Sequence, residues 1–419
     1  MDIKSFVKEN YKEFKNSKFY PLIENTYGTD EIEGLIEVIL SDKLTMGENV
    51  LKFEKMFANY LGTKYAVMVN SGSSANLLAL AAATNFKRNH RLNPGDKVLV
   101  PSVCWSTSVW PIIQNNLIPV FLDVNQYTLN IDVEEIEKNI DEKTKGMVAV
   151  HIMGNSTHMD QLMKIVKKHN LVLIEDTCES LGSTYNNKYL GTFGDFGSFS
   201  FYFSHHITTI EGGMVCCNTQ EDYELLKCLR AHGWSRNQSL ENRIKYETQH
   251  PDIDNRFLFI NIGYNLRPME MQGKMGIIQL GKLTEKNNNR NYNRLRINDK
   301  IKEHPRNKGF LELCHHTNNC NPAWFSICLF LTEKYKHLYK DYLNYLTSCG
   351  IENRPIVTGN FVRQPVFKEL NLNYEPTDFP GAEKVHECGF FIGSSCNILS
   401  NEKIEHLVNL MLDYDKIEQ

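Results

Sequence analysis

The chain has 419 residues, 42% hydrophobic and 23% charged, with a formal net charge of −4. That length suits two packed units or one large α/β enzyme with an appendage, since a domain takes roughly 100–200 residues. Neither nucleic acid nor a membrane is implied: the charge is nearly balanced, and no apolar run approaches the roughly 18 residues that a membrane span needs.

The first twenty residues, MDIKSFVKENYKEFKNSKFY, alternate charges with aromatics and lack the apolar run of a secretory signal, so the cytoplasm is the expected compartment. Eleven cysteines without framework spacing fit reduced thiols better than disulfides. From about residue 45 to 235, short β-rich runs alternate with helical patterns: KYAVMV (64–69), KVLVPS (97–102), IPVFLDV (118–124), GMVAVHIM (146–153), LVLIEDT (171–177), GSFSFY (197–202) and GGMVCCN (212–218). Near-continuous apolar strands separated by helices predict an α/β fold with a mostly parallel seven-stranded sheet covered on both faces. The polar, aperiodic stretch 235–262 is expected to be a long functional loop or an arm reaching a neighbouring subunit. Residues 269–304 predict one long helix leading out of the large domain. The expected division is an N-terminal extension and arm (1–44), a large domain (45–284) and a smaller C-terminal α+β domain (285–419).

Several short stretches carry possible chemistry. In VNSGSSANLLAL (69–80) a strand runs through Ser71-Gly72-Ser73-Ser74 into a helix, which makes either an anion cradle of free amides and hydroxyls or an ordinary serine-capped turn. In LVLIEDTCES, Glu175 and Asp176 fall at the carboxyl end of an apolar strand, where open α/β sheets keep their ligands; a cap carboxylate is the plainer alternative. PSVCWSTSVWP (101–111) offers Trp105, whose flat face suits a ring or the core. FSFYFSHHITTIEGG (199–213) holds Ser200, Ser204 and the pair His205-His206; neighbours on a strand point to opposite sides, so the two histidines make a poor metal pair. CHHTNNC (314–320) has no second pair of ligands of the kind structural zinc uses, and no metal site is expected.

Taken in this order, the motifs resemble the sugar aminotransferase and dehydratase family of pyridoxal phosphate (PLP) enzymes with the aspartate aminotransferase-like fold (PLP fold type I). The resemblance runs from about Pro21 to the C-terminus. It implies that the position of His205 is, in most of the family, the lysine that binds the cofactor covalently. Nucleotide-sugar 3-dehydratases carry histidine there. LRAHGWSRN (229–237), GYNLRPMEMQG (263–273) and IENRPIVTGN (351–360) most closely resemble the branch acting on GDP-4-keto-6-deoxymannose in colitose biosynthesis. A related branch holds an iron–sulfur cluster on cysteines between the histidine and the GYN motif; residues 229–265 contain no cysteine, so no cluster is expected.

The resemblance implies PLP or pyridoxamine 5′-phosphate (PMP) held without a covalent bond: Gly72, Ser73 and Ser200 toward the phosphate, Trp105 stacked on the ring, Asp176 at the ring nitrogen, and Glu179 near the ring substituents. Asn265 would reach the phosphate from the other subunit of a homodimer. His205, whose ordinary pKa is about 6.5, would be the catalytic base. Ser204, His232 and Arg236 would lie close to substrate, and Arg267 and Arg354 would take the nucleotide diphosphate or a glutamate carboxylate. The expected reaction removes the C3 hydroxyl of a nucleotide-linked 4-keto-6-deoxy hexose or heptose, with L-glutamate restoring the amine cofactor and ammonia released. A true aminotransferase using another lysine, such as Lys188, and a non-catalytic binding protein are the alternatives.

Overall fold

Runs of Val, Ile, Leu and Met with no polar alternation have both faces to bury, and here they do so in one sheet between helices. The computed structural model describes residues 2–12 and 16–417. Its large sheet has seven strands: β1 (Tyr65–Val69), β2 (Lys97–Pro101), β3 (Ile118–Leu122), β4 (Thr144–Val150), β5 (Val172–Asp176), β6 (Phe196–Ser200) and β7 (Gly213–Cys217), in the order β1-β7-β6-β5-β4-β2-β3. Strands β2 to β6 pair in parallel, and β7 runs antiparallel to both its neighbours, β1 and β6. The mostly parallel α/β architecture is therefore as expected. Helix α1 (Gly72–Ala83) follows β1 and helix α2 (Ser106–Gln114) follows β2. The alanine face of ANLLALAAA lets α1 lie close to the sheet, with Ala75, Ala79, Ala82 and Ala83 fully buried.

Two readings change. The stretch 235–262 is not irregular throughout: helix α3 (Leu240–Gln249) is capped by Ser239 and carries an Arg243–Glu247 pair one turn apart at 3.6 Å. It buries none of its residues, and a helix with no packed face writes no apolar stripe into the sequence. Residues 201–212, including both histidines, form turns between β6 and β7 rather than a continuing strand.

Helix α4 (Glu270–Glu303) is one continuous element. At its start the Glu270 carboxylate accepts from the amides of Gly47, Asn49 and Val50 at 2.6–3.1 Å, so one side chain caps the beginning of the helix Glu48–Leu61. Leu280 and Leu283 pack with Phe53, Phe57 and Phe199 under the large sheet, whereas Ile297 and Ile301 belong to a separate core. That second core lies beneath a four-stranded antiparallel sheet of β8 (Leu311–Leu313), β9 (Ile327–Leu331), β10 (Asn353–Pro355) and β11 (Gly389–Ile392), ordered β8-β9-β11-β10. The N-terminal segment crosses to this sheet: Tyr20 bridges Ile351, and the Leu22 amide donates to Glu352 at 3.0 Å. Among the described residues no helix is long and apolar enough to cross a membrane.

Candidate functional site

Asp176 ends β5 and is 4% exposed. Its Oδ2 accepts from Asn76 Nδ2 and Ser108 Oγ, both at 2.7 Å, and Oδ1 accepts from the Cys178 amide at 3.2 Å. Asn76 and Ser108 come from α1 and α2, so the two helices beside the sheet fix one carboxylate at its edge. Neither residue was singled out from the sequence, although both lie in the motifs quoted. An asparagine inside an alanine-rich helix draws attention, because a buried amide needs partners, but nothing local says that its partner is Asp176.

Glu175 turns the other way and is committed to the fold. It accepts from the amides of Gly191, Phe193 and Gly194 at 2.6–2.8 Å and lies 3.1 Å from His151 Nε2, so GTFGDFG is a loop wrapped around a buried carboxylate. Of the two acids, only Asp176 is placed to meet a ligand.

The start of α1 lies beside β6. Ser71 caps the helix, its Oγ accepting from the Ser74 amide at 3.0 Å and its carbonyl from Ala75, which leaves the first amides, of Gly72 and Ser73, without a carbonyl in the helix. A Cβ on Gly72 would stand 2.5 Å from the Ser200 Cβ, so glycine is required for this close approach. Ser73 Oγ donates to Thr107 Oγ1 at 3.2 Å, tying the cradle to the start of α2, where Trp105 is the capping residue and is 56% exposed. An indole so open beside a cradle and a buried carboxylate has a face to give a ligand.

His205 sits in the turn after β6, half-buried, with Nδ1 2.6 Å from the Cys178 carbonyl. A carbonyl only accepts, so Nδ1 carries the hydrogen and Nε2 of the neutral ring carries the lone pair. Burial pulls its pKa below the ordinary histidine value, against the Cys178 carbonyl and the Asp176 charge, which raise it. Glu179 lies on the loop after β5, next to Cys178, and its carboxylate accepts from the Met153 amide at 2.9 Å. Burial, aided by the Asp176 charge, pushes its pKa up to about 7. His206 turns away and bonds the Ala323 carbonyl at 2.8 Å; burial holds it well below the ordinary value, and the ring is a neutral structural group.

A second cluster forms around Trp234. The His232 ring meets it edge-on at 4.8 Å, the Arg236 and Arg267 guanidiniums lie 4.9 and 6.0 Å from its ring, and Arg267 Nε donates to Asn265 Oδ1 at 3.0 Å. No side chain of this cluster bonds to one of the first, although the Leu266 carbonyl accepts from Asn70, just before the cradle. Ser204 and Arg354 line a cavity between the N-terminal segment and the small sheet. Lys188 is exposed over the Phe193 ring on a short hairpin, away from all of these. In CHHTNNC, Cys314 donates to the Tyr127 carbonyl and His315 stacks on Tyr127. Among the described residues no group of three or more His, Cys, Asp or Glu is gathered to hold a metal.

The chain is 39% identical over 376 residues to GDP-4-keto-6-deoxy-D-mannose 3-dehydratase of Escherichia coli O55:H7, covering 90% of this chain and 95% of that protein. A solved E. coli GDP-4-keto-6-deoxy-D-mannose-3-dehydratase with bound hydrated PLP superposes with a TM-score of 0.87 at 37% identity, covering 94% of this chain and all of that one. A structure of GDP-4-keto-6-deoxymannose-3-dehydratase with a trapped PLP-glutamate geminal diamine gives 0.86 at the same identity and coverage. Residues 25–412 match the DegT/DnrJ/EryC1/StrS aminotransferase family, and with a PLP fold type I architecture carrying histidine in the turn after β6, the chain belongs to that family.

Proposed function

We propose that this protein is a coenzyme B6-dependent nucleotide-sugar 3-dehydratase that removes the C3 hydroxyl of a GDP-linked 4-keto-6-deoxy sugar, with L-glutamate as amino donor and ammonia as coproduct. The observation that carries this is His205: an imidazole with a free Nε2 where a family aminotransferase needs an amine. Imidazole forms no stable covalent link to the cofactor aldehyde, so it neither anchors the cofactor nor displaces a product from it.

The residues present fit the cofactor. The open amides of Gly72 and Ser73 with Ser200 suit the phosphate, the exposed face of Trp105 suits the ring, and the buried Asp176 suits a protonated ring nitrogen. Bound in its amine form, the cofactor supplies the amino group that condenses with the C4 ketone and a ring that takes up electrons as the C3–O bond breaks. His205 Nε2 accepts the proton released beside the ring and hands it to the departing hydroxyl. Glu179, balanced near pH 7, holds or yields a proton at the ring substituents. His232, Arg236, Arg267 and Arg354 are the candidates for the anionic parts of substrate. A homodimer in which Asn265 completes the partner's phosphate site is part of this reading, as is a cytoplasmic enzyme; the eleven free thiols support the latter.

The test supplies GDP-4-keto-6-deoxymannose, PLP and L-glutamate and follows the products. A 3-deoxy-4-keto sugar with stoichiometric ammonia is expected; an amino sugar as the main product refutes the reading.

A further inference from the structure

The cavity between the N-terminal segment and the small sheet measures about 230 Å³, and Thr26, Ser204, Arg290, Arg354 and Ser394 are on its wall. Arg290 projects from the middle of α4 and is 6% exposed. Its Nη1 donates to Asn287 Oδ1 at 3.2 Å and, at the limit of a hydrogen bond, to the His206 carbonyl at 3.5 Å. No carboxylate among the described residues forms an ion pair with it. Burial opposes the Arg290 charge, Cys396 and Glu24 favour that charge only from longer range, and a ligand anion in direct contact would offset a cost that no ion pair of the fold does.

Two further donors on the same wall are in the same state. Thr26 Oγ1 and Ser394 Oγ are buried without a hydrogen-bond partner and, unlike the other such hydroxyls of the described residues, both belong to residues lining this cavity. They come from the N-terminal segment and from the loop after β11, so three parts of the chain converge on one space. The segment is pinned there by the Thr26 carbonyl, which accepts from Gln279 at 2.9 Å and from Lys286. The space adjoins the reacting turn, because Ser204 precedes His205 and the His206 carbonyl faces Arg290.

We propose that Arg290, Thr26 and Ser394 form a subsite for a carboxylate of the amino donor, an inference that rests on the function proposed above. Either a carboxylate or the diphosphate of the sugar nucleotide has the oxygens such a cup would take. The cavity wall itself favours the carboxylate. Glu24 is the one acidic residue lining it, held by Ser395 Oγ at 2.6 Å and unpaired with Arg290. Its charge opposes the doubly charged diphosphate more strongly than L-glutamate, whose two carboxylates and one ammonium leave a single net negative charge. Arg354, exposed at the same cavity, remains for the polyanionic part of the sugar nucleotide.

The experiment separates the donor half-reaction from the sugar half-reaction. Holoenzyme in the PLP form is mixed with L-glutamate alone, and conversion to the amine cofactor is followed by absorbance. Arg290→Gln is expected to raise the half-saturating glutamate concentration by about tenfold to a hundredfold, the range of a lost charge-assisted hydrogen bond. Arg290→Lys should recover part of the loss, and the Thr26→Val, Ser394→Ala double variant should show a several-fold rise. On the cofactor-free chain, L-glutamate should raise the thermal midpoint of the wild type and not that of Arg290→Gln.

Unchanged glutamate dependence with slowed turnover would overturn the proposal, since Arg290 would then only shape the 205–206 turn. So would protection by GDP or pyrophosphate, rather than by glutamate, that disappears in Arg290→Gln. If Arg290→Gln does not fold, the hydroxyl double variant decides, and an unaltered glutamate dependence in it is the refuting result. Wild-type protein that is protected by glutamate but makes no 3-deoxy sugar would sink the proposed function and leave the subsite standing.

Discussion

Glu179 should make the protein less stable as pH rises toward neutrality. The carboxyl is ionised in the unfolded chain with an ordinary pKa of 4.5, whereas burial and the neighbouring Asp176 raise it to about 7 in the fold. A raised folded pKa means that the native state binds the proton more tightly. Its stabilising contribution is complete below pH 4.5 and is lost as pH climbs through 7. Each tenfold change in proton affinity is worth about 1.4 kcal/mol, so the whole effect amounts to about 3 kcal/mol. This is an upper bound, because the residue as a whole is only partly buried. The perturbation is Glu179→Gln, which mimics the protonated acid and cannot titrate. Urea unfolding of both cofactor-free proteins, at fixed concentration from pH 5 to 8.5, should show the wild type losing up to that amount relative to the variant, with the gap flattening above pH 7. A difference that stays constant with pH would refute the assignment.

Four further outcomes follow from the geometry. His205→Asn should lower turnover about 10²- to 10⁴-fold with little change in thermal midpoint; normal ammonia release would show that the imidazole is not the base. In Asp176→Asn the new NH2 meets a donor whichever way it turns, the Asn76 and Ser108 pair on one side or the Cys178 amide on the other. A loss of about 1–3 kcal/mol in denaturant unfolding and a collapse of turnover are expected. Gly72→Ala forces a methyl against Ser200, so cofactor retention measured by equilibrium dialysis should fall at least about tenfold through the displaced helix start. Because the His205 pKa is lowered, the neutral base persists below pH 6.5, and the acid limb of kcat/KM in Glu179→Gln should lie under that value.

The large sheet was legible because its strands are buried on both faces: YAVMV, KVLVP and GMVCC announce themselves as apolar runs, and the strand limits shift by only a few residues. Helix α4 was legible from its length and its freedom from proline, despite Gly273, Gly276 and Gly281 in its first half. Helix α3 was not, since an exposed helix held by its cap, one ion pair and a polar contact from Lys87 to Tyr246 has no apolar period to detect. At the site, Asp176 and the SGSS start could be found as a strand end and a helix start. His205 could be found only as a departure from a motif in register. The roles of Asn76, Ser108 and Cys178 depend on which helices flank β5, and the environment of Arg290 depends on segments over a hundred residues apart, so no local pattern encodes them.

The reversal of β7 has a consequence for how this chemistry could arise. Ser200 pairs directly with Gly213, so the excursion bearing His205 leaves and re-enters the sheet at adjacent points. The ladder closes without using the side chain at 205, which bonds the Cys178 carbonyl instead. The residue that decides between nitrogen transfer and deoxygenation thus sits where the sheet does not depend on its identity.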